Sequence, residues 1–524
     1  MRSATAVSSL VLSLAVSIGM ANAQENSDDA LVLNEISANG PFPGNLVAQQ
    51  SEWECAQSRD TPGYFRSLNA AEVSDAKRSQ LYECASFLGS MSGANNVFAW
   101  RSPQNYQGVL FMNNRYPGEL YLTGGNTPPA QGPVPIGPWV AKVDATTGTE
   151  IWRTVLENGN VSGNWVGAAN LNILPDGNIP IAFGTNLVKL DGNTGRILQH
   201  ITLPSDAPAD GSNFKHVTIG PDGTLFVKNQ TRATPCDIQG TFAAFQCPGG
   251  AAASPPSTIV AVNPDTFDVY DQVTVPENAI VPHTVAEHNG KTVIYAPSIL
   301  KAYRFIWDPE AKKLSQDENW VVGNYLEEGQ TTGDAPGILG DWVVMQVNGL
   351  PTKEAASAIV AIHQDDPTKL VRHYPFGTDV PTGLSWAPPK AAIDEENSMV
   401  FSADLALAKI AGMTFDKDTG AMETAWSGDG SSSALQTLYG PADRRVLGTS
   451  RAELDTPLQD LVQTSAPTYK QQAIWLDAKT GKVLAESDFF EPMNFNTLLS
   501  PGYGGRFYYM VENGFIALQV MPAE

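Results

Sequence analysis

Apolar and polar residues alternate along most of this chain in short runs, and each run stops at a turn. The clearest phrase is an alternating apolar strand, a turn of the form Asp-x-x-Thr-Gly, and a second strand. It occurs at 139–148, continuing into the strand that holds Trp152, and again at 187–195, 410–420 and 473–481. Worn copies run over 259–266, 303–309 and 359–366, and 515–520 begins an eighth. Alternation with period two marks a strand with one buried face. The turn closes because Asp and Thr side chains bond backbone N–H groups two residues on, while Gly takes the left-handed conformation. Turn positions 144, 191, 263, 308, 365, 416 and 477 are 47, 72, 45, 57, 51 and 61 residues apart. Upstream of each copy two more strands meet at another tight turn, as at Pro175-Asp176-Gly177, Pro221-Asp222-Gly223 and Asn289-Gly290. Four antiparallel strands recurring every ~50 residues make a propeller blade. The expected fold is all-β, an eight-bladed β-propeller over 96–524.

The eighth unit has only three strands of its own. A fourth, drawn from 31–36 or 96–100, would close the ring and remove a free edge. Residues 24–95 lie outside the repeat. Asn69 followed by Glu72 reads as a capping box, and Val73, Ala76, Leu81, Cys84 and Leu88 follow a helical spacing. A helix over 70–89 is expected, forming a small disulfide-stapled cap on the propeller.

Three features place the chain in a compartment. Arg2, the apolar stretch 6–20 and Ala21-Asn22-Ala23 have the form of a secretory signal over 1–23. That stretch is too short to span a membrane, and the residue directly after the cleavage site is Gln24, not a cysteine, so neither a membrane span nor a lipid anchor is expected. The four cysteines of an exported chain are expected in two disulfides. Three connectivities are possible, of which the local one, Cys55–Cys84 with Cys236–Cys247, is favoured. The protein is expected to be periplasmic or secreted.

Composition narrows the function classes. With 42% hydrophobic and 17% charged residues in 524, the chain is too apolar for disorder. A net charge of −23 argues against nucleic acid as a partner. There is no P-loop, GxSxG, HExxH, CxxCH or dinucleotide fingerprint.

The repeat, a strand, Asp-x-x-Thr-Gly, and a strand that ends in Trp at Trp152 and Trp426, is similar to the quinoprotein-like eight-bladed propeller repeat, the PQQ-like repeat. The resemblance covers about residues 100–521 and implies the fold. It leaves the function open, because the family holds both quinone-dependent alcohol dehydrogenases and non-catalytic scaffolds such as the outer-membrane assembly factor BamB. Quinone dehydrogenases of this fold carry adjacent cysteines against the cofactor, with a Trp floor beneath it. This chain has no adjacent cysteines and no recognisable calcium set, so PQQ is not expected.

With strands named A to D from the axis outward, the A–B and C–D turns share one face and are short here. The B–C connections 125–138, 229–257, 349–357 and 450–470 and the D–A connections 322–334 and 375–384 share the other and are long. Long connections on a rigid scaffold are where function tends to sit. Counting back six positions from the A–B turns gives Asn170, His216 and His283, and approximately Asp334, Gln436 and Asn496; Trp165 and Trp386 fall near the same level. Two of six histidines thus occupy equivalent positions in adjacent blades. Imidazoles there can hydrogen-bond a substrate, shuttle a proton or, with Asp334, hold a metal. The expected function is binding of a small ligand or an envelope protein through the elaborated face. The rival is a periplasmic oxidoreductase or hydrolase working around His216 and His283.

Overall fold

The computed structural model describes residues 42, 44–103, 109–125, 138–156, 170–238, 243–349, 355–378, 390–404, 407–430, 434–453, 455–456, 469–494, 497–511 and 514–523. Within these residues the strands form eight blades around one axis. Blade one is Val109–Asn113, Glu119–Gly124, Trp139–Asp144 and Glu150–Val155, each strand antiparallel to the next. Blade two has three paired strands, Ile179–Phe183, Asn186–Leu190 and Ile197–Thr202. Its inner place is taken by 170–174, where Ile173 N–H donates to the Ala70 carbonyl at 2.8 Å. The inner strands of blades three to eight are Ser212–Ile219, Thr284–His288, Gly337–Leu339, Ala392–Asp394, Thr437–Tyr439 and Ser500–Gly502.

The ring closes as the strand count requires. Asn95–Arg101 pairs antiparallel with Gly514–Pro522, in register from Asn95 opposite Pro522 to Arg101 opposite Ile516. The alternative closing segment, 31–36, lies outside the described residues, as does the signal-like 1–23. The disulfides are Cys55–Cys84 and Cys236–Cys247. Among the described residues no helix is long and apolar enough to cross a membrane.

The Asp-x-x-Thr-Gly turns lock neighbouring blades together. In the first, Asp144 Oδ1 accepts the N–H groups of Thr146 and Thr147 at 2.8 Å each, and Gly148 has φ +66°. Gly148, Gly195, Gly420 and Gly481 lie against the rings of Trp100, Trp152, Trp342 and Trp426 respectively. In three of these pairs the Trp belongs to the outer strand of the preceding blade. Trp426 also donates its indole N–H to the Ala478 carbonyl at 2.9 Å.

The helix expected over 70–89 does not form. The helix lies earlier, at Leu46–Ser58, capped by Asn45 Oδ1 accepting from Ala48 N–H, and it carries Cys55 rather than Cys84. Residues 70–89 are a chain of turns with one short strand, Leu81–Tyr82. Val73, Ser74, Arg78 and Gln80 all have positive φ, between 50° and 86°, which a right-handed helix cannot contain. The apolar spacing there has another cause: the segment crosses the short-turn face and meets inner strands in succession. Asn69 bridges to Asn114, Ala76 accepts from Val285 N–H, Ser79 from Ile393 N–H, and Leu81–Tyr82 pairs in parallel with Leu438–Tyr439. Glu52, on the helix, ties the same layer to blade eight by accepting from Gly504 and Gly505 N–H groups. Residues 64–82 therefore form a plug across the short-turn end of the axis.

Candidate functional site

Facing the plug, several blades bring polar side chains together near the axis. In blade three a bulge between Phe214 and His216 breaks the register. Bulges re-aim side chains, and this one carries both Lys215 and His216. His216 Nδ1 meets the Asn170 Nδ2 amide at 2.6 Å, and the Glu72 carboxylate stands 3.9 Å from the same nitrogen. With the amide N–H donating to Nδ1, the imidazole proton sits on Nε2. That Nε2–H is buried and has no hydrogen-bond partner among the described residues. Burial, followed by the charges of Lys215, Lys228, Arg78 and His283, holds His216 well below the usual histidine pKa. The ring is therefore neutral at neutral pH, a donor on Nε2.

His283 precedes the inner strand of blade four and is fully buried. Burial, then Arg78 and Lys228, keep it neutral as well; the Phe226 carbonyl faces the ring without meeting full hydrogen-bond geometry. Asp334 lies between the short strands Gln330–Thr332 and Gly337–Leu339, and its Oδ1 accepts from Ala335 N–H at 2.6 Å. It acts electrostatically on Glu72, Lys215 and Lys390. Gln436 is buried at the opening of blade seven's inner strand, its carbonyl accepting from Gln80 Nε2. Thus Asn170, His216, His283 and Asp334 belong to one electrostatic neighbourhood, and Gln436 sits against the same plug. Trp165, Trp386 and Asn496 lie outside the described residues.

Apart from Asp334, the charged members of this neighbourhood are not among the candidates that the sequence offered. From the plug, Arg78 pairs with Glu72 at 3.0 Å and donates to the His283 carbonyl at 2.7 Å and to Thr218 Oγ1 at 3.0 Å. Its left-handed backbone, φ +57°, belongs to the strained plug. Such strain persists only where the surroundings over-determine it, and here they are the blades on every side. Lys228 donates to the carbonyls of Asn229 and Ala279. Lys390, opening blade six, donates to those of Arg78 and Ala391. Burial is the first cause in each lysine: Lys215 falls to about 8, Lys390 to about 7, and Lys228 well below its ordinary value. Burial also pushes the Glu72 carboxyl up, against the pull of Arg78. One signal for Lys390 was present, since counting back six from Glu396 reaches it. Glu72 and Arg78 carried none, because nothing local says that 64–82 crosses the axis.

Among the described residues no three His, Cys, Asp or Glu side chains are placed to hold a metal ion. His216, His283 and Asp334 are instead interleaved with Arg78, Lys215 and Lys228, which would repel a cation.

No family model and no curated protein matches this chain. Solved structures do. A quinohemoprotein alcohol dehydrogenase from Comamonas testosteroni is similar, with TM-score 0.54 and 11% identity over 91% of this chain and 86% of that one. A second, from Pseudomonas putida, has TM-score 0.48 and 11% identity over 88% and 82%. BamB from Moraxella catarrhalis has TM-score 0.39 and 10% identity over 71% and 93%. At these identities the likeness is one of fold, the propeller architecture that the repeat resembled.

Proposed function

We propose that this is an exported binding protein whose small-molecule ligand enters from the long-connection face and is held on the axis. One observation carries the reading: the buried Nε2–H of His216, without a partner among the described residues, within a polar neighbourhood built from several blades. A buried donor left unsatisfied costs ~1–3 kcal/mol, and a bound acceptor removes that cost. The plug supports entry from the other side, because it covers the short-turn end. Export rests on the signal-like 1–23 and on two disulfides, which persist in oxidising compartments. Asn170, His283, Asp334 and Gln436 complete the proposed lining; Trp165, Trp386 and Asn496 are assigned to it by the repeat's counting alone.

The test is a thermal-shift screen of small polar metabolites against the full chain and its His216→Ala variant. Compounds that stabilise the wild type but not the variant are the expected result. If no compound discriminates, and cross-linking captures one envelope protein equally with both, the ligand is instead a protein docked on the loops. A chromophore in the purified protein would move the reading to the oxidoreductase alternative.

A further inference from the structure

Among the described residues the buried charges near the axis do not balance. Arg78, Lys215, Lys228 and Lys390 are each at most 6% exposed, and two buried carboxylates, Glu72 and Asp334, share their neighbourhood. Asp75 is a third carboxylate but only half-buried; its oxygens are taken by Ser74 and Ser79, and it lines clefts on the plug's outer side. Among the described residues no carboxylate lies within ion-pair distance of Lys228 or Lys390, whose ammonium groups meet backbone carbonyls. This excess of cations lies at the centre of a chain whose net charge is −23, so it does not follow from composition.

An uncompensated buried cation costs several kcal/mol, and two things relieve it. One is loss of the proton. The other is arrival of an anion. The two compete at the same atoms. Beside the lysines, the unpartnered His216 Nε2–H offers an anion a neutral donor, and its Nδ1 is already satisfied by Asn170.

We propose that the axial site takes a small anion presenting carboxylate or phosphate oxygens, and that Lys215 and Lys390 take up protons as it binds. The proposal rests on the ligand-site reading above and names the ligand's charge class. Among the described residues, the titratable or charged groups packed around the two lysines are Glu72, Asp75 and Arg78 from the plug, His216 and Lys228 from blade three, His283 from blade four and Asp334 from blade five. Both histidines are held neutral; burial also shifts Glu72 and Lys228 toward their neutral forms, so the lysine variants below separate the share of Lys215 and Lys390 from theirs. Lys390 loses its proton at about 7 and Lys215 at about 8. Above those values the site loses positive charge, and an anion must bring protons with it.

Isothermal titration of the full chain with malonate and, separately, with inorganic phosphate tests this and separates the two oxygen chemistries. At least one should bind at pH 6, and on the order of ten- to a hundredfold weaker at pH 9, as one required proton with a pKa between about 8 and about 7 implies. Lys215→Met and Lys390→Met should each lose binding at pH 6, while Lys482→Met, an exposed turn residue, should not. Should the buried variants fail to fold, wild-type titration at pH 8 in buffers of different ionisation enthalpy counts the protons directly. Binding without proton uptake, or buried-lysine variants that bind like wild type, overturns the proposal. So does the absence of binding by both anions. If an uncharged compound then stabilises wild type but not His216→Ala, only the anion has failed and the ligand site stands.

Discussion

At the scale of single residues, two histidines of this chain make opposite predictions. His216 has one satisfied nitrogen and one buried donor with none. Replacing it with Ala removes an unmet cost along with a few contacts, so the melting temperature should move by only a few degrees while ligand-induced stabilisation disappears. His363 ends an outer strand of blade five. Its ring packs edge-on against Trp342 at 5.0 Å, and its Nδ1 accepts from Asp365 N–H at 3.1 Å. His363→Ala should lower stability by ~1 kcal/mol, the usual scale of one hydrogen bond with an aromatic contact, and leave binding unchanged. Calorimetry and a binding titration on both variants separate the two roles. A His216 variant that keeps full binding would remove the centre of the proposed site.

Individual elements show why the repeat is legible. Its Gly is required twice over, by positive φ and by the Trp ring above it. At Gly481 an added Cβ would sit 2.5 Å from the Trp426 ring, on a backbone at φ +71°. Gly481→Ala should therefore cost ~2–5 kcal/mol, left-handed strain plus overpacking, visible as a lowered urea midpoint. Gly290, also at positive φ but with nothing within 4 Å of its added Cβ, should lose only the strain part on the same substitution. The plug was not legible, because its apolar residues imitate helical spacing. Val73 packs with Leu68, Tyr82 and Cys84 in the cluster beside blades seven and eight, while Ala76 packs beside blades two to four. What sets that spacing is the placement of successive inner strands, not a helix turn. Removing 24–101 takes away both the plug and the closing strand, exposes the edge of Gly514–Pro522, and should give aggregated protein. A soluble, cooperatively folding truncation would contradict this account of closure.

For the whole molecule the relevant quantity is the pH dependence of stability. A buried lysine whose folded pKa is depressed binds fewer protons than its unfolded form between the two values, so its contribution to stability rises with pH across that window. For Lys390 the window runs from about 7 to its ordinary 10.5; below 7 both forms are charged and the full penalty applies. Ligand-free protein should therefore gain, from pH 7 to 10, a stabilising increment that Lys390→Met lacks. The measurement is the difference between the two urea-unfolding profiles, which cancels the carboxylates common to both. Parallel profiles would show that Lys390 keeps an ordinary pKa.

What the chain determined by itself is what local chemistry repeats. Asp-x-x-Thr-Gly turns recur because each hairpin must close in the same way, so the blades, their number and the missing fourth strand of the eighth blade can be counted from residue identities. The candidate positions Asn170, His216, His283 and Asp334 were reachable because they keep a constant distance from the A–B turns upstream of each repeat, and Lys390 was reachable by the same count. The plug, with Glu72 and Arg78, and the surplus of buried cations were decided only in three dimensions. Residues 64–82 have no repeat to copy, and four left-handed residues hold a path that only the assembled ring stabilises. Whether a lysine ends in water or beside another lysine depends on which strands meet at the axis, and contacts between segments hundreds of residues apart, such as Arg78 with Lys390, leave no pattern along the chain.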